Sequence, residues 1–157
     1  FCCFTGLRYC DVSALTFANV DYESMVMRFN QKKSAGRSAH AAVVIPLNNE
    51  LLRLIGHPKE GDNPKERIFI LPHSGTARKH LARWVSLAGI KKRITWHCSR
   101  HSFAVNLLNS GTDIKTVSSL LGHASIKMTE KYLHVIDQRK QKAINRLGKV
   151  AFDMEAD

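Results

Sequence analysis

The chain has 157 residues, 44% hydrophobic and 24% charged, with 24 Lys and Arg against 13 Asp and Glu and a net charge of +11. That is the length of one domain, able to bury a core without staples. The positive excess favours a polyanionic partner, of which nucleic acid is the commonest, and the longest apolar run, residues 41–45, is too short for a transmembrane helix.

In chain order, residues 1–6 read as the end of a helix stopped by Gly6. Residues 11–15 suit a short helical turn. Residues 25–29 and 39–45 are β-prone, joined by the turn-rich Lys32-Lys33-Ser34-Ala35-Gly36-Arg37. Asn48 or Asn49 caps a helix carrying Leu51, Leu52, Leu54 and Ile55. A loop over 57–66 leads into a short strand at 68–71. Residues 76–88 place Leu81, Trp84, Val85 and Ala88 at i, i+3, i+4 and i+7, an amphipathic helix ending at Gly89. Residues 97–109 carry Phe103, Ala104, Leu107 and Leu108 and stop at Gly111. Thr112 caps a segment with Val117, Leu120 and Leu121 that stops at Gly122. Ser125 begins a further helix reaching Tyr132 or beyond, and residues 137–149 form a last helix before an acidic tail. The pattern predicts a mainly α domain with a small antiparallel β-sheet.

Between residues 67 and 112 there is no Asp or Glu, while eight Lys or Arg and four His fall there. Interleaved with core residues such as Leu81, Trp84, Val85 and Phe103, this stretch reads as one basic face of a folded domain. Four cysteines (Cys2, Cys3, Cys10, Cys98) without a C-x-x-C pair fit a reducing, cytoplasmic setting. The opening residues lack the basic-then-apolar pattern of a signal peptide. They begin in mid-core, at Phe1-Cys2-Cys3-Phe4, as expected of a fragment of a longer protein.

Cutting a phosphodiester without a metal needs rigid cations on the non-bridging oxygens, and the planar fork of Arg suits phosphate better than Lys does. A covalent route also needs a nucleophile and a proton for the leaving alkoxide. Candidates for these roles are Arg8 just past a helix stop, Arg100 within His97-Cys98-Ser99-Arg100-His101, Lys33 in the hairpin turn, His123 after Leu120-Leu121-Gly122, and Tyr132. An ordinary tyrosine is only about a thousandth ionised at neutral pH, so Tyr132 needs a base or a strongly positive site. Spacing alone does not bring these points together.

The motifs Thr5-Gly6-Leu7-Arg8 with Asp11-Val12 and Leu15, His97 to His101 running into Ser102-Phe103-Ala104, Gly111-Thr112-Asp113-Ile114, and Leu120 to Ser125 followed by Thr129 and Tyr132 resemble the catalytic domain of the tyrosine recombinases, the phage integrase family. The resemblance covers roughly residues 1–150. It implies site-specific cleavage and rejoining of double-stranded DNA through a 3′-phosphotyrosyl link, with no cofactor and no metal. By this resemblance Arg8 and Arg100 clamp the scissile phosphate, His97 is a general acid/base, His123 hydrogen-bonds the phosphate, and Tyr132 is the nucleophile. Lys33 resembles the hairpin lysine that protonates the 5′ leaving oxygen, with Lys32 as the alternative. The family likeness also implies a missing N-terminal core-binding domain, self-association on DNA as a tetrameric synapse, and packing of the helix over 137–149 onto a neighbouring subunit.

Blander readings stand beside these. Most arginines are surface cations, and a tyrosine near a helix end is commonly a half-buried core residue. His97, Cys98, His101 and His123 match no common zinc spacing, and Cys98 reads as an inert packing residue. A non-catalytic helix-turn-helix module over 112–132 is a rival of another class, though it has no use for Arg8 and Lys33. A type IB topoisomerase is a closer rival with similar chemistry.

Overall fold

The computed structural model describes residues 1–31, 42–61 and 63–132, with Asp137, Lys140, Gln141, Ile144 and Asn145. Two short helices open the chain, α1 (Cys2–Thr5) and α2 (Tyr9–Val12), separated by Gly6 in the left-handed conformation (φ 65°). Glycine belongs there, because a Cβ at this position would lie 2.9 Å from Leu121 Cδ2. A 3-10 turn (Phe17–Asn19) then leads into the antiparallel sheet β1 (Val20–Asp21), β2 (Val26–Asn30) and β3 (Ala42–Pro46), in the order β1-β2-β3. Register is set by alternation: Met27 and Phe29 face inward opposite Ile45 and Val43, while Arg28 and Val44 face out.

Asn48 is the cap of α3 (Asn49–Ile55), its side chain accepting the Leu51 N–H at 2.9 Å. The helices α4 (Ser74–Leu87), α5 (Trp96–Ser110), α6 (Ile114–Leu120) and α7 (Lys127–Glu130) follow. The predicted fold class is thus what the chain adopts: helices around a small three-stranded antiparallel sheet.

Two apolar clusters form the core. One packs Leu7, Val12 and Leu15 against the inner face of the sheet and against Leu51 and Ile55 of α3. The other joins Phe103, Ala104 and Leu108 of α5 to Val117 and Leu121 of α6 and to Tyr132. A fully buried side chain such as Leu108 or Leu15 stabilises by about 1.5–3 kcal/mol over its exposed state. The candidate site lies where these clusters meet.

Several elements depart from the expectation. Residues 68–71 are not a strand: the chain makes one antiparallel bridge, Thr16 to Arg67, and Ile70 is 92% exposed. Beyond the Ile68 N–H bond to the Leu15 carbonyl pairing stops, because the residues that would oppose 69–71 belong to α2 (Tyr9–Val12) and the turn that ends it at Ser13. In α4 the row that turns inward is Ala77, Leu81 and Val85, spaced i, i+4, i+8, which leaves Trp84 and Ala88 exposed rather than in the core. The cap of α6 is Asp113, whose carboxylate accepts the N–H groups of Lys115 and Thr116 at 2.9 Å. Thr112 instead belongs to the end of α5, its N–H on the Leu107 carbonyl and its hydroxyl 3.4 Å from Ser110 Oγ. The helix after Ser125 is shorter than expected and ends before Tyr132, which sits in a turn.

The hairpin turn with Lys32 and Lys33 lies outside the described residues, as does most of 137–149. The described members of that last stretch, Asp137, Lys140, Gln141, Ile144 and Asn145, have helical backbone. Among the described residues no helix is long and apolar enough to cross a membrane.

Candidate active site

Arg8 occupies the N-cap position of α2, held in extended conformation (φ −77°, ψ 152°) by the turn at Gly6. This starts the helix earlier than the sequence suggests and aims the guanidinium inward. Its Nη1 donates to Gln31 Oε1 at 2.5 Å and lies 3.7 Å from the buried Asp11 carboxylate, one turn along the same helix.

Arg100 is only 2% exposed. A buried guanidinium is costly unless its donors are used, and here Nη1 donates to the Gly6 carbonyl at 2.7 Å and Nη2 to the Leu121 carbonyl at 2.6 Å. Arg100 therefore pins the stop of α1 to the end of α6. Burial, then the like charge of Arg8, lower its pKa to about 10, opposed by Tyr132 and Asp11. It stays cationic at neutral pH.

His97 is in the first turn of α5, one turn before Arg100. The helix begins at Thr95, where the Cys98 thiol accepts the Thr95 N–H at 3.3 Å. Cys98 is thus the capping-box partner of the cap residue Thr95, not merely packing. Partial burial of the ring, then the cations Lys131, Arg100 and Arg8, hold the His97 pKa below the ordinary imidazole value.

His123 follows Gly122, whose positive φ of 61° turns the chain after α6. Its Nδ1 is 2.7 Å from Thr129 Oγ1, and Thr129 is fully buried on α7. Burial first, then Arg100, Lys131 and Arg8, lower the His123 pKa to about 4, so the ring is neutral at physiological pH.

Tyr132 is 1% exposed. Its ring packs into the second core cluster, tilted against His101 at 5.0 Å between centroids, with Lys131 Nζ 5.0 Å from its own centroid. The core-residue reading of this tyrosine is therefore correct for its ring, and does not conflict with a reactive hydroxyl near Arg100.

Arg8, His97 and Arg100 line one groove of about 350 Å³ with Tyr9, Trp96 and Ser74. Tyr9 shapes its wall, donating its hydroxyl to the Pro72 carbonyl at 2.6 Å and tilting against Trp96 at 5.2 Å. Of the residues expected from sequence, Arg8, His97 and Arg100 line this groove; His123 closely follows Leu121, whose carbonyl Arg100 holds, and Tyr132 packs with Leu121 in the second core cluster. Lys33 lies outside the described residues. Sequence reasoning missed Gln31, Lys131 and the role of Thr129. Gln31 had no signal beyond its place at the end of a β-prone run; Thr129 stood among the quoted motif residues without a partner.

The groove offers fixed cationic donors and an imidazole at the first turn of a long helix, a setting that favours an anion. Comparison with known proteins agrees. Residues 1–139 match the model of the phage integrase family. A tyrosine recombinase of Pseudothermotoga lettingae is 32% identical over 149 residues, covering 92% of this chain and 50% of that protein. Tyrosine recombinase XerD of Listeria innocua is 34% identical over 148 residues, covering 86% and 48%. The chain thus spans about half the length of these relatives. Among solved structures, the catalytic domain of bacteriophage HP1 integrase superposes with a TM-score of 0.65 at 23% identity, covering 99% of this chain and 82% of that one. The Tn1549 transposon integrase in complex with a circular intermediate DNA gives 0.67 at 20% identity, covering 90% and 56%. With these matches and this site, the chain belongs to the phage integrase family of tyrosine recombinases.

Proposed function

We propose that this chain is the catalytic part of a site-specific DNA recombinase, acting on double-stranded DNA through a covalent phosphotyrosine. The observation that carries the reading is that Arg8, His97 and Arg100, from separate segments, share one groove, while Arg100 is bonded to the Leu121 carbonyl just before His123 and Tyr132 packs with Leu121. The roles follow from the chemistry each group offers. The Tyr132 oxygen attacks phosphorus and gives its proton to His97, whose lowered pKa keeps it neutral and able to accept. The new Tyr132–phosphorus bond forms as the bond to the 5′ oxygen breaks, and that oxygen takes a proton from Lys33. Arg8 and Arg100 stabilise the charge that gathers on the non-bridging oxygens. If the Thr129 hydroxyl donates to Nδ1 of His123, the Nε2–H is left to donate to the same phosphate.

Lys33 takes the leaving-group role by the family pattern, with Lys32 as the alternative. Attack by the 5′ hydroxyl on the phosphotyrosine reverses each step, so rejoining consumes no nucleotide. A DNA substrate and free cysteines fit a cytoplasmic setting. Self-association follows from the need to bring two duplexes together, and sedimentation with and without target DNA tests it: one unchanged monomer in both would refute it.

The test of the main reading is a pool of nicked duplex DNAs randomised around the nick, incubated with the chain in chelator. The expected result is a protein–DNA adduct that survives detergent. If no adduct forms, the reading fails.

A further inference from the structure

We propose that Gln31 is a positioning residue that holds the two arginines in mutual register, through a single amide that touches both sides of the site. The inference rests on the reading of Arg8 and Arg100 as the phosphate grip. Gln31 directly follows β2 and is 1% exposed. Its Oε1 accepts from Arg8 Nη1, and its Nε2 donates to the Leu121 carbonyl at 3.1 Å. That same carbonyl accepts from Arg100 Nη2 at 2.6 Å. The result is a continuous relay, Arg8 to Gln31 to the Leu121 oxygen to Arg100, with both ends cationic and every bond buried or part-buried.

The geometry explains why this position needs an amide. The two guanidiniums repel, as the lowering of the Arg100 pKa by Arg8 records, so something must fix their separation. A glutamine offers an acceptor to one side and a donor to the other. A glutamate would present oxygens to both, setting a carboxylate against the Leu121 carbonyl and neutralising Arg8. An apolar residue would supply neither bond. The neighbouring glycine is shaped around the amide: a Cβ on Gly122 would stand 2.6 Å from Gln31 Nε2. Backbone turn, amide and both arginines therefore form one unit.

A double-mutant cycle tests this against a purely structural role. Cleavage is followed as the rate of adduct formation at saturating nicked-duplex DNA, with each variant's fold checked by circular dichroism melting. Gln31→Met, which keeps the volume, should slow wild-type cleavage about 10- to 100-fold, the worth of a hydrogen bond to a charged group. In an Arg8→Ala background it should slow cleavage less than about 3-fold, because the group it positions is gone. Equal loss in both backgrounds, or no loss in either, overturns the proposal. Gln31→Glu supplies a second route should Gln31→Met not fold: it should cleave at least about 10-fold more slowly than wild type, and wild-type cleavage by this variant also overturns the proposal. Absence of any wild-type adduct removes the functional reading and this inference together. A wild-type adduct lost in Tyr132→Phe, with Gln31 variants unaffected, removes the inference alone.

Discussion

Gln31 and Arg100 donate to one oxygen, the carbonyl of Leu121, at 3.1 and 2.6 Å. A carbonyl has two lone pairs, and here both point into the site. The last turn of α6 therefore serves as a fixed post between a side chain arriving from the sheet and one arriving from α5. Arg100 in turn holds the Gly6 carbonyl, so the arginine expected to grip phosphate also joins the two halves of the core.

A variant at Arg100 should consequently lose both activity and stability. Arg100→Met removes two charged hydrogen bonds and leaves the Gly6 carbonyl short of a partner, at a cost of about 3 kcal/mol or more. Urea denaturation measures this. Arg100→Lys keeps the charge but not the fork, and should cleave at least about 100-fold more slowly. Wild-type stability for Arg100→Met would contradict the joining role.

Thr129→Val keeps the buried shape and removes the hydroxyl facing His123 Nδ1. Cleavage should slow about tenfold. Nitrogen chemical shifts of the His123 ring should change from one tautomer to a mixture. An unchanged ring spectrum would show that the Thr129 contact does not set the tautomer.

The pH dependence of stability has a definite sign. Folding lowers the pKa of His123 to about 4 and that of His97 below its ordinary value. Both rings are neutral above about pH 6.5 in folded and unfolded chains alike, so their contribution is fully present there. As pH falls toward about 4 the unfolded chain takes up protons that the folded chain refuses, and stability declines. The urea midpoint should drop over this window, and His123→Gln should shrink the drop. A midpoint that rises on acidification would contradict the burial of these rings.

Two glycines separate backbone strain from crowding. Gly89 and Gly122 both have positive φ, 66° and 61°, but a Cβ on Gly89 meets nothing within 4 Å while one on Gly122 meets Gln31 and Val43 at 2.6 Å. Gly89→Ala should cost about 1–2 kcal/mol. Gly122→Ala should cost about 1–3 kcal/mol more, from overpacking, and should slow cleavage by displacing Gln31. Equal costs in thermal melts would mean that the Gly122 turn relaxes freely.

Much of this architecture is legible from the sequence, for identifiable reasons. Gly6, Gly111 and Gly122 mark real stops because each takes a left-handed turn that other residues rarely adopt. Asn48 announces α3 because a short amide can reach the third N–H of the helix. The motif residues supply the proposed grip and nucleophile. What escapes is the nonlocal part. Nothing within a few residues of Trp84 says that α4 turns its Ala77–Leu81–Val85 row inward, since that depends on what α4 packs against. Gln31 is likewise unreadable, because its partners Arg8 and Leu121 are 23 and 90 residues away. The short life of the pairing at 67 is decided by α2, which occupies the segment that would have to face residues 69–71 and lies far earlier in the chain.

In the proposed reaction Tyr132, and no other group, carries the DNA. Peptide mapping of the trapped adduct by mass spectrometry tests this most directly. A nucleotide remnant is expected on the peptide containing Tyr132, with no adduct from Tyr132→Phe under the same conditions. A remnant on Tyr9, Tyr22 or a serine, or equal trapping by Tyr132→Phe, would contradict it.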